Sequence, residues 1–73
     1  MTENQKNYIK TLDERLEELG SSFSSENLLE PGWEQVYKSI SYEIAHEVIQ
    51  ALLEEIKYIR REKWLKLKEE TIT

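Results

Sequence analysis

The sequence predicts an all-α fold, in which a short helix 1 and a long helix 2 form a helical hairpin that dimerises into an antiparallel four-helix bundle. Three observations predict it. The 73 residues include two glycines and one proline. Apolar residues recur with helical spacing in both halves of the chain. Helix 2 also carries apolar residues around most of its middle, which is typical of a helix buried on several sides.

Helix 1 is predicted over residues 3–19. Thr2 and Gln5 have the spacing of a capping box, in which two side chains satisfy free backbone N–H groups. Gly20 is suited to the left-handed conformation that ends many helices. The apolar residues of helix 1 form one narrow stripe on the helical wheel: Tyr8, Ile9, Leu12, Leu16 and Leu19.

A connector is predicted over residues 20–31. Its serines favour bonds between side chain and backbone over a regular helix, although a short turn of helix at residues 25–29 is compatible with the sequence. We expect Phe23, Leu28 and Leu29 to cover one end of the bundle. Pro31 is suited to a first helical turn, so helix 2 is expected to begin beside it. Residues 1–73 are treated as one domain.

Helix 2 is predicted over residues 32–68, followed by a frayed tail at 69–73. It would be about 54 Å long and helix 1 about 25 Å, at 1.5 Å per residue. Folded back antiparallel, helix 1 would reach only the first half of helix 2, to about residues 48–52. The main apolar stripe of helix 2 contains Trp33, Tyr37, Ile40, Ile44, Val48, Leu52, Ile56 and Ile59.

A second apolar stripe on helix 2 predicts a surface for a dimer or another partner. A single chain of this size forms only a marginal core, and the absence of cysteine excludes disulfides as reinforcement. We therefore expect a second subunit to cover this stripe. The predicted interface residues are Tyr42, His46, Ile49, Leu53, Ile56 and Trp64.

The charge distribution predicts that the two subunits run antiparallel. Residues 1–30 and 31–56 each carry a net charge of −4, from seven acids and three bases and from five acids and one base, whereas residues 57–73 carry +3, from three acids and six bases. An antiparallel pair places each basic tail beside the acidic stretch of the other chain. Each exposed ion pair is worth about 0–1 kcal/mol, but several together can select one orientation.

Glu43 and His46, the chain's single histidine, have the Glu-x-x-His spacing of a metal site. In ferritin-like di-iron bundles such pairs project inward from two helices. Here Glu43, His46 and Glu47 avoid the main stripe, so they could meet their counterparts only across a dimer. We predict no metal, and keep a ferritin-like metal-binding half-bundle as the alternative.

The basic tail suggests a third possibility, a nucleic-acid accessory factor, because lysine and arginine alternate with Tyr58 and Trp64. Such a segment can contact phosphates or anionic lipid. It can equally complement the negative end of the helix macrodipole and the acids of a neighbour. The candidate contact residues are Lys57, Arg60, Arg61 and Lys63.

For function, the sequence predicts a small non-catalytic interaction or adaptor protein. We find no catalytic motif, expect no cofactor, and identify no small-molecule substrate. The expected partners are a second copy and another protein. Nucleic acid and membrane are not favoured, because the net charge of −5 repels anionic surfaces. The lack of cysteine and of a long apolar run leads us to expect a cytoplasmic protein.

Overall fold

The computed structural model describes the backbone of residues 1–72 and the side chains of residues 1–67. Over this range the chain forms helices α1 (Glu3–Glu18) and α2 (Tyr42–Ile72), with 3-10 helices at Ser25–Asn27 and Trp33–Ser39. We call Trp33–Ser39 the return helix. The all-α prediction is confirmed. The predicted frayed tail is wrong as far as Ile72, which is still helical, and Thr73 lies outside the described residues.

Both ends of α1 have the predicted caps. The Thr2 hydroxyl accepts from the Gln5 N–H at 3.1 Å, and the Gln5 side chain accepts from the Thr2 N–H at 3.0 Å. At the other end Gly20 has φ 80°, Ser21 N–H donates to the Leu16 carbonyl, and Gly20 N–H donates to the Glu17 carbonyl. This bond pair is a Schellman motif, and it ends α1 within one residue of the predicted position.

A type II turn at residues 30–33 leads into the return helix. Trp33 N–H donates to the Glu30 carbonyl at 3.1 Å, and Pro31 occupies the second position of the turn. Gly32 occupies the third with φ 85° and ψ 6°, where a positive φ is required. The Pro-Gly pair thus reverses the chain before the return helix begins.

We expect Gly32→Ala to lower the free energy of unfolding by about 1 kcal/mol or somewhat more, because alanine is strained at positive φ. A Cβ at Gly32 would meet no atom within 4 Å, so the cost comes from the backbone alone. Urea unfolding followed by circular dichroism measures it. Gly32→Asn is the control and should lose less, since asparagine tolerates this conformation. Equal stability of Gly32→Ala and wild type would contradict the positive φ of Gly32 in the turn.

The prediction of one unbroken helix 2 from residue 32 is wrong, because the chain breaks at Ile40. Ile40 is extended, with φ −85° and ψ 132°. Ser41 then acts as an N-cap: its hydroxyl accepts from Ile44 N–H at 3.1 Å, and its carbonyl accepts from Ala45 N–H. The residues before the break form the tighter 3-10 helix, which is itself distorted at Val36, with φ −120°. A capping serine next to a β-branched isoleucine explains why α2 starts afresh at Tyr42.

The predicted antiparallel hairpin is also wrong, because α1 and α2 run parallel. The Met1 ammonium donates to the Ile40 carbonyl, and Gln5 Nε2 donates to the Tyr42 carbonyl at 3.3 Å, so both helices begin at the same end of the molecule. The connector and the return helix run back between these ends. Because the chain breaks at Ile40, the return helix can lie antiparallel to both α1 and α2.

Contacts along the length of α1 hold the return helix in place. The Lys10 ammonium lies 3.3 Å from a Glu34 carboxylate oxygen, and Lys6 Nζ lies 4.5 Å from the centre of the Tyr37 ring. Both involve exposed or half-buried side chains and contribute at most about 1 kcal/mol each. Their order shows the direction of the chain, because later residues of the return helix meet earlier residues of α1.

A buried hydrogen-bond network anchors the start of the returning segment. Trp33 Nε1 donates to the Ser25 hydroxyl at 3.0 Å, and that hydroxyl donates to an Asp13 carboxylate oxygen at 2.5 Å. The other Asp13 oxygen accepts from Ser25 N–H at 2.8 Å. Ser25 is fully buried, and all its polar groups are hydrogen-bonded, because its carbonyl accepts from Leu28 N–H and Leu29 N–H.

The core lies between α1, the return helix and the first half of α2. Its buried apolar residues are Ile9, Leu12, Leu16, Trp33, Ala45, Val48, Leu52 and Ile56. Tyr37, Ile40 and Ile59 of the predicted main stripe are partly buried against it. Ile44 was expected in this stripe and is instead 47% exposed, whereas Ala45 is fully buried. The fresh start of α2 at Tyr42 accounts for this shift by one residue.

The connector covers the core with two of the three predicted side chains. Phe23 and Leu29 pack against the core, while Leu28 remains exposed. The described chain measures 52 × 19 × 17 Å. Helix α1 has 16 residues and α2 has 31, so α2 is about 22 Å longer. Since they start together, the second half of α2 extends beyond α1.

Candidate interaction surface

The predicted interface residues of α2 occupy one side of the helix and are largely exposed in the single chain. Tyr42 is 63% exposed, Trp64 57% and Leu53 36%. His46 is exposed as well, and Ile49 is half-buried. Ile56 differs, since it is buried in the core of its own chain. We call Tyr42, His46, Ile49, Leu53 and Trp64 the second stripe.

The second stripe lies at nearly a right angle to the face that α2 turns toward α1. Leu52 is fully buried in the core. Leu53 follows it directly, and consecutive residues are about 100° apart round an α-helix. In a four-helix bundle each helix contacts two neighbours at about this angle. The geometry of α2 therefore leaves room for a second helix beside the first.

An open groove joins the second stripe to α1. Its volume is about 290 Å³, and its wall is more apolar than polar. Leu12 and Ile56 are buried, and Tyr8 is 48% exposed. The remaining lining residues are Thr11, Arg15, Leu53 and Arg60. The sequence indicated the α2 side of this surface. The α1 side was missed because it depends on the parallel arrangement of the two helices.

The basic residues of the predicted tail surround the same side of α2. Lys57, Arg60, Arg61 and Lys63 are all exposed. At 100° per residue they spread over an arc of about 160° that is centred on the direction of Leu53. Arg60 lines the groove, and Lys57 and Arg61 lie beside Glu54 and Tyr58 in a shallow depression. The cations thus form a rim to the second half of the second stripe rather than a separate patch.

The Glu-x-x-His pair is on the surface. Glu43, His46 and Glu47 are all exposed. Within the part of the chain whose side chains are described, no three histidine or carboxylate side chains converge as they would around a metal ion. Glu43 and His46 belong instead to the first turns of α2, at the acidic end of the second stripe.

The far side of α2 carries a second apolar surface. A recess of about 630 Å³ lies between the connector, the return helix and the start of α2. Its exposed apolar residues are Leu28, Val36 and Ile44. Ile44 and Leu53 are nine residues apart, which places them about 180° from each other round α2. We call this recess the far recess, and sequence patterning did not reveal it because residues from three elements form it.

Tyr58 also lies away from the second stripe. It is exposed, and the neighbouring Glu62 carboxylate raises its pKa above the ordinary value of 10.0 by its charge and by a hydrogen bond to the phenol, with a smaller contribution from Glu55. The phenol therefore stays neutral and donates to Glu62. Tyr58 is a suitable reference site for substitutions elsewhere on α2 because it lies about 140° round the helix from Leu53.

No described helix combines the length and apolar character needed to cross a lipid bilayer. No known family matches the chain, and no curated protein or solved structure matches it either. The exposed surfaces of the protein are therefore the basis for the function proposed below.

Proposed function

We propose that this protein is a small non-catalytic interaction protein that forms an antiparallel homodimer and acts by binding another protein. One observation carries the proposal. A chain of 73 residues leaves an apolar stripe exposed along α2, and that stripe continues into an open apolar groove. Large exposed apolar patches are uncommon on small monomers and are typical of binding surfaces.

Self-association through the second stripe would bury apolar surface in addition to the small core of the single chain. A 73-residue domain is near the size at which a single core is marginal. Pairing two copies of α2 along this stripe places each α1 on the same side of the pair, because Leu52 and Leu53 point about 100° apart. The result would be a four-helix bundle with α1 and α2 from each subunit.

The far recess would remain open in this dimer, since it lies on the opposite side of α2 from the seam. Its exposed Leu28, Val36 and Ile44 are suited to an apolar side chain from another protein. We therefore place the adaptor function there. The metal-binding alternative and the nucleic-acid alternative gain no comparable support, because no three metal-type side chains converge within residues 1–67 and the candidate cations lie beside the seam.

We expect Val36→Glu to abolish capture of the partner protein by the tagged dimer, because it places a charge in the apolar recess. The measurement is quantitative affinity capture with wild type and variant as bait, followed by mass spectrometry. Tyr58→Glu is the matched control: Tyr58 is 61% exposed and Val36 58%, and Tyr58 lies about 21 Å further along α2 than Ile44.

The control should retain the same protein as wild type. Retention of no protein above background by wild type would contradict the adaptor function. Equal retention by the Val36→Glu bait would contradict the assignment of the far recess as the binding surface.

A further inference from the structure

The spacing of the second stripe sets the register of the dimer. We infer that two copies of α2 pair antiparallel with Leu53 on the two-fold axis, so that Tyr42 of each copy lies opposite Trp64 of the other. This inference rests on the proposed self-association and specifies the occupant of the second stripe as a second copy of this chain.

The two ends of the second stripe are equally far from Leu53. Tyr42 precedes Leu53 by eleven residues and Trp64 follows it by eleven. In an antiparallel pair centred on Leu53, residues equally far before and after it lie at the same height. Tyr42 and Trp64 are both exposed aromatic residues on α2, so the register stacks two aromatic side chains at each end of the seam.

Between Leu53 and the two ends of the seam, the register brings apolar residues together on the side of α2 that faces the groove. Ile49 precedes Leu53 by four residues and Ile56 follows it by three, so Ile49 of one copy lies within one residue's rise of Ile56 of the other. On the helical wheel both residues fall between the direction of Leu53 and the direction of α1. The half-buried Ile49 would thereby fill the groove floored by Ile56 and Leu12.

Glu43 and Arg61, on the outer rim of the seam, are complementary in this register. Glu43 and Arg61 lie at the same angle round α2, about 80° from Leu53, because they are 18 residues apart. Glu43 of one copy lies about two residues' rise from Arg61 of the other, near enough for an exposed ion pair. In a parallel pair, by contrast, Glu43 would face Glu43, and each of Lys57, Arg60 and Arg61 would face its own counterpart.

The two copies of α1 also fit this arrangement. They would lie side by side and antiparallel, since the two-fold axis keeps both on the same side of the α2 pair. Gln5 lies beside Tyr42 at the start of the two helices, so Arg15 of α1 is about level with Leu53 and would lie near the two-fold axis.

Single-cysteine crosslinking tests the register, because the native chain has no cysteine. Three variants are made in the full chain: Leu53→Cys, Tyr42→Cys and Trp64→Cys. Each is treated with a short bis-maleimide at a concentration where sedimentation shows the dimer, alone and in equimolar mixtures. We expect Leu53→Cys to crosslink to itself in high yield, and Tyr42→Cys to crosslink with Trp64→Cys but not with itself.

Self-crosslinking of Tyr42→Cys and of Trp64→Cys would overturn the inference in favour of a parallel pair. A dimer in which none of the three sites crosslinks would overturn the register while leaving self-association in place. A monomer at every concentration would instead refute the proposed homodimer itself. Tyr58→Cys, on the opposite side of α2, reports random collision and should give no crosslink above that of the denatured chain.

Discussion

Trp33→Ala is expected to remove about 3–5 kcal/mol from the free energy of unfolding, the usual cost of deleting a buried tryptophan. Trp33 is 3% exposed and packs in the core, and its indole nitrogen donates to the buried Ser25 hydroxyl. Small domains are stable by about 0.05–0.15 kcal/mol per residue. For a chain of this length the loss would therefore be a large part of the total.

Urea unfolding followed by circular dichroism at fixed protein concentration measures this effect, since dimer formation makes stability depend on concentration. Val36→Ala, in the same return helix but exposed, is the control and should change stability by about 0.5 kcal/mol or less. If Trp33→Ala does not fold, Trp33→Phe keeps most of the volume and should still lose about 1–2 kcal/mol with the hydrogen bond. If each variant loses less stability than its expected range, the result would contradict the burial of Trp33 in the return helix.

Leu53→Glu is expected to convert the dimer into a monomer. In the proposed seam the two Leu53 side chains meet on the axis, so the substitution buries two carboxylates against each other. Burial of unpaired charge and like-charge repulsion together cost several kcal/mol, which corresponds to at least a 100-fold rise in the dissociation constant. Sedimentation velocity at a series of concentrations gives the constant directly.

Tyr58→Glu is again the control, because it places a similar charge on the opposite side of α2. It should leave the dissociation constant within about two-fold of wild type. The circular dichroism of both variants should match wild type, since Leu53 is partly exposed in the single chain and is not needed for the core. A Leu53→Glu variant that keeps the mass of wild type would show that the second stripe is not the seam.

The caps and spacing of α1 made that helix predictable from sequence. The Thr2–Gln5 capping box and the left-handed Gly20 are local features whose energetics depend on adjacent residues only. These features fix where elements begin and end without reference to the rest of the fold. Pro31 was predicted in the first turn of helix 2, whereas the structure places it in the turn before the return helix.

The direction of α2 could not be predicted, because it depends on a weak break. There is no glycine or proline at residues 39–41 to mark the break. An unbroken helix would satisfy the same apolar spacing. The break is favoured by one tertiary contact, the Met1 ammonium on the Ile40 carbonyl, together with the local cap of the Ser41 hydroxyl on Ile44 N–H. The Ser41 cap was the available signal, but serine also occurs inside helices at modest cost.

The position of the second stripe was predictable because it depends on the local periodicity of α2, which starts anew at Tyr42 but remains helical, although the prediction also included Ile56, which is buried in the core of its own chain. Its connection to α1 was not predictable. The groove of Tyr8, Arg15 and Leu53 forms only when the two helices run parallel. The Asp13–Ser25–Trp33 network was missed for a similar reason, since Asp13 resembles its acidic neighbours in sequence and is distinguished only by the returning chain.

The most direct test of the account is the mass of the wild-type protein in solution. Sedimentation equilibrium from nanomolar to high micromolar concentration should show a species of twice the 8.8 kDa of one chain, and its dissociation constant should rise at high salt as the ion pairs across the seam are screened. A mass of one chain throughout the micromolar range would contradict the proposal that the second stripe joins two copies.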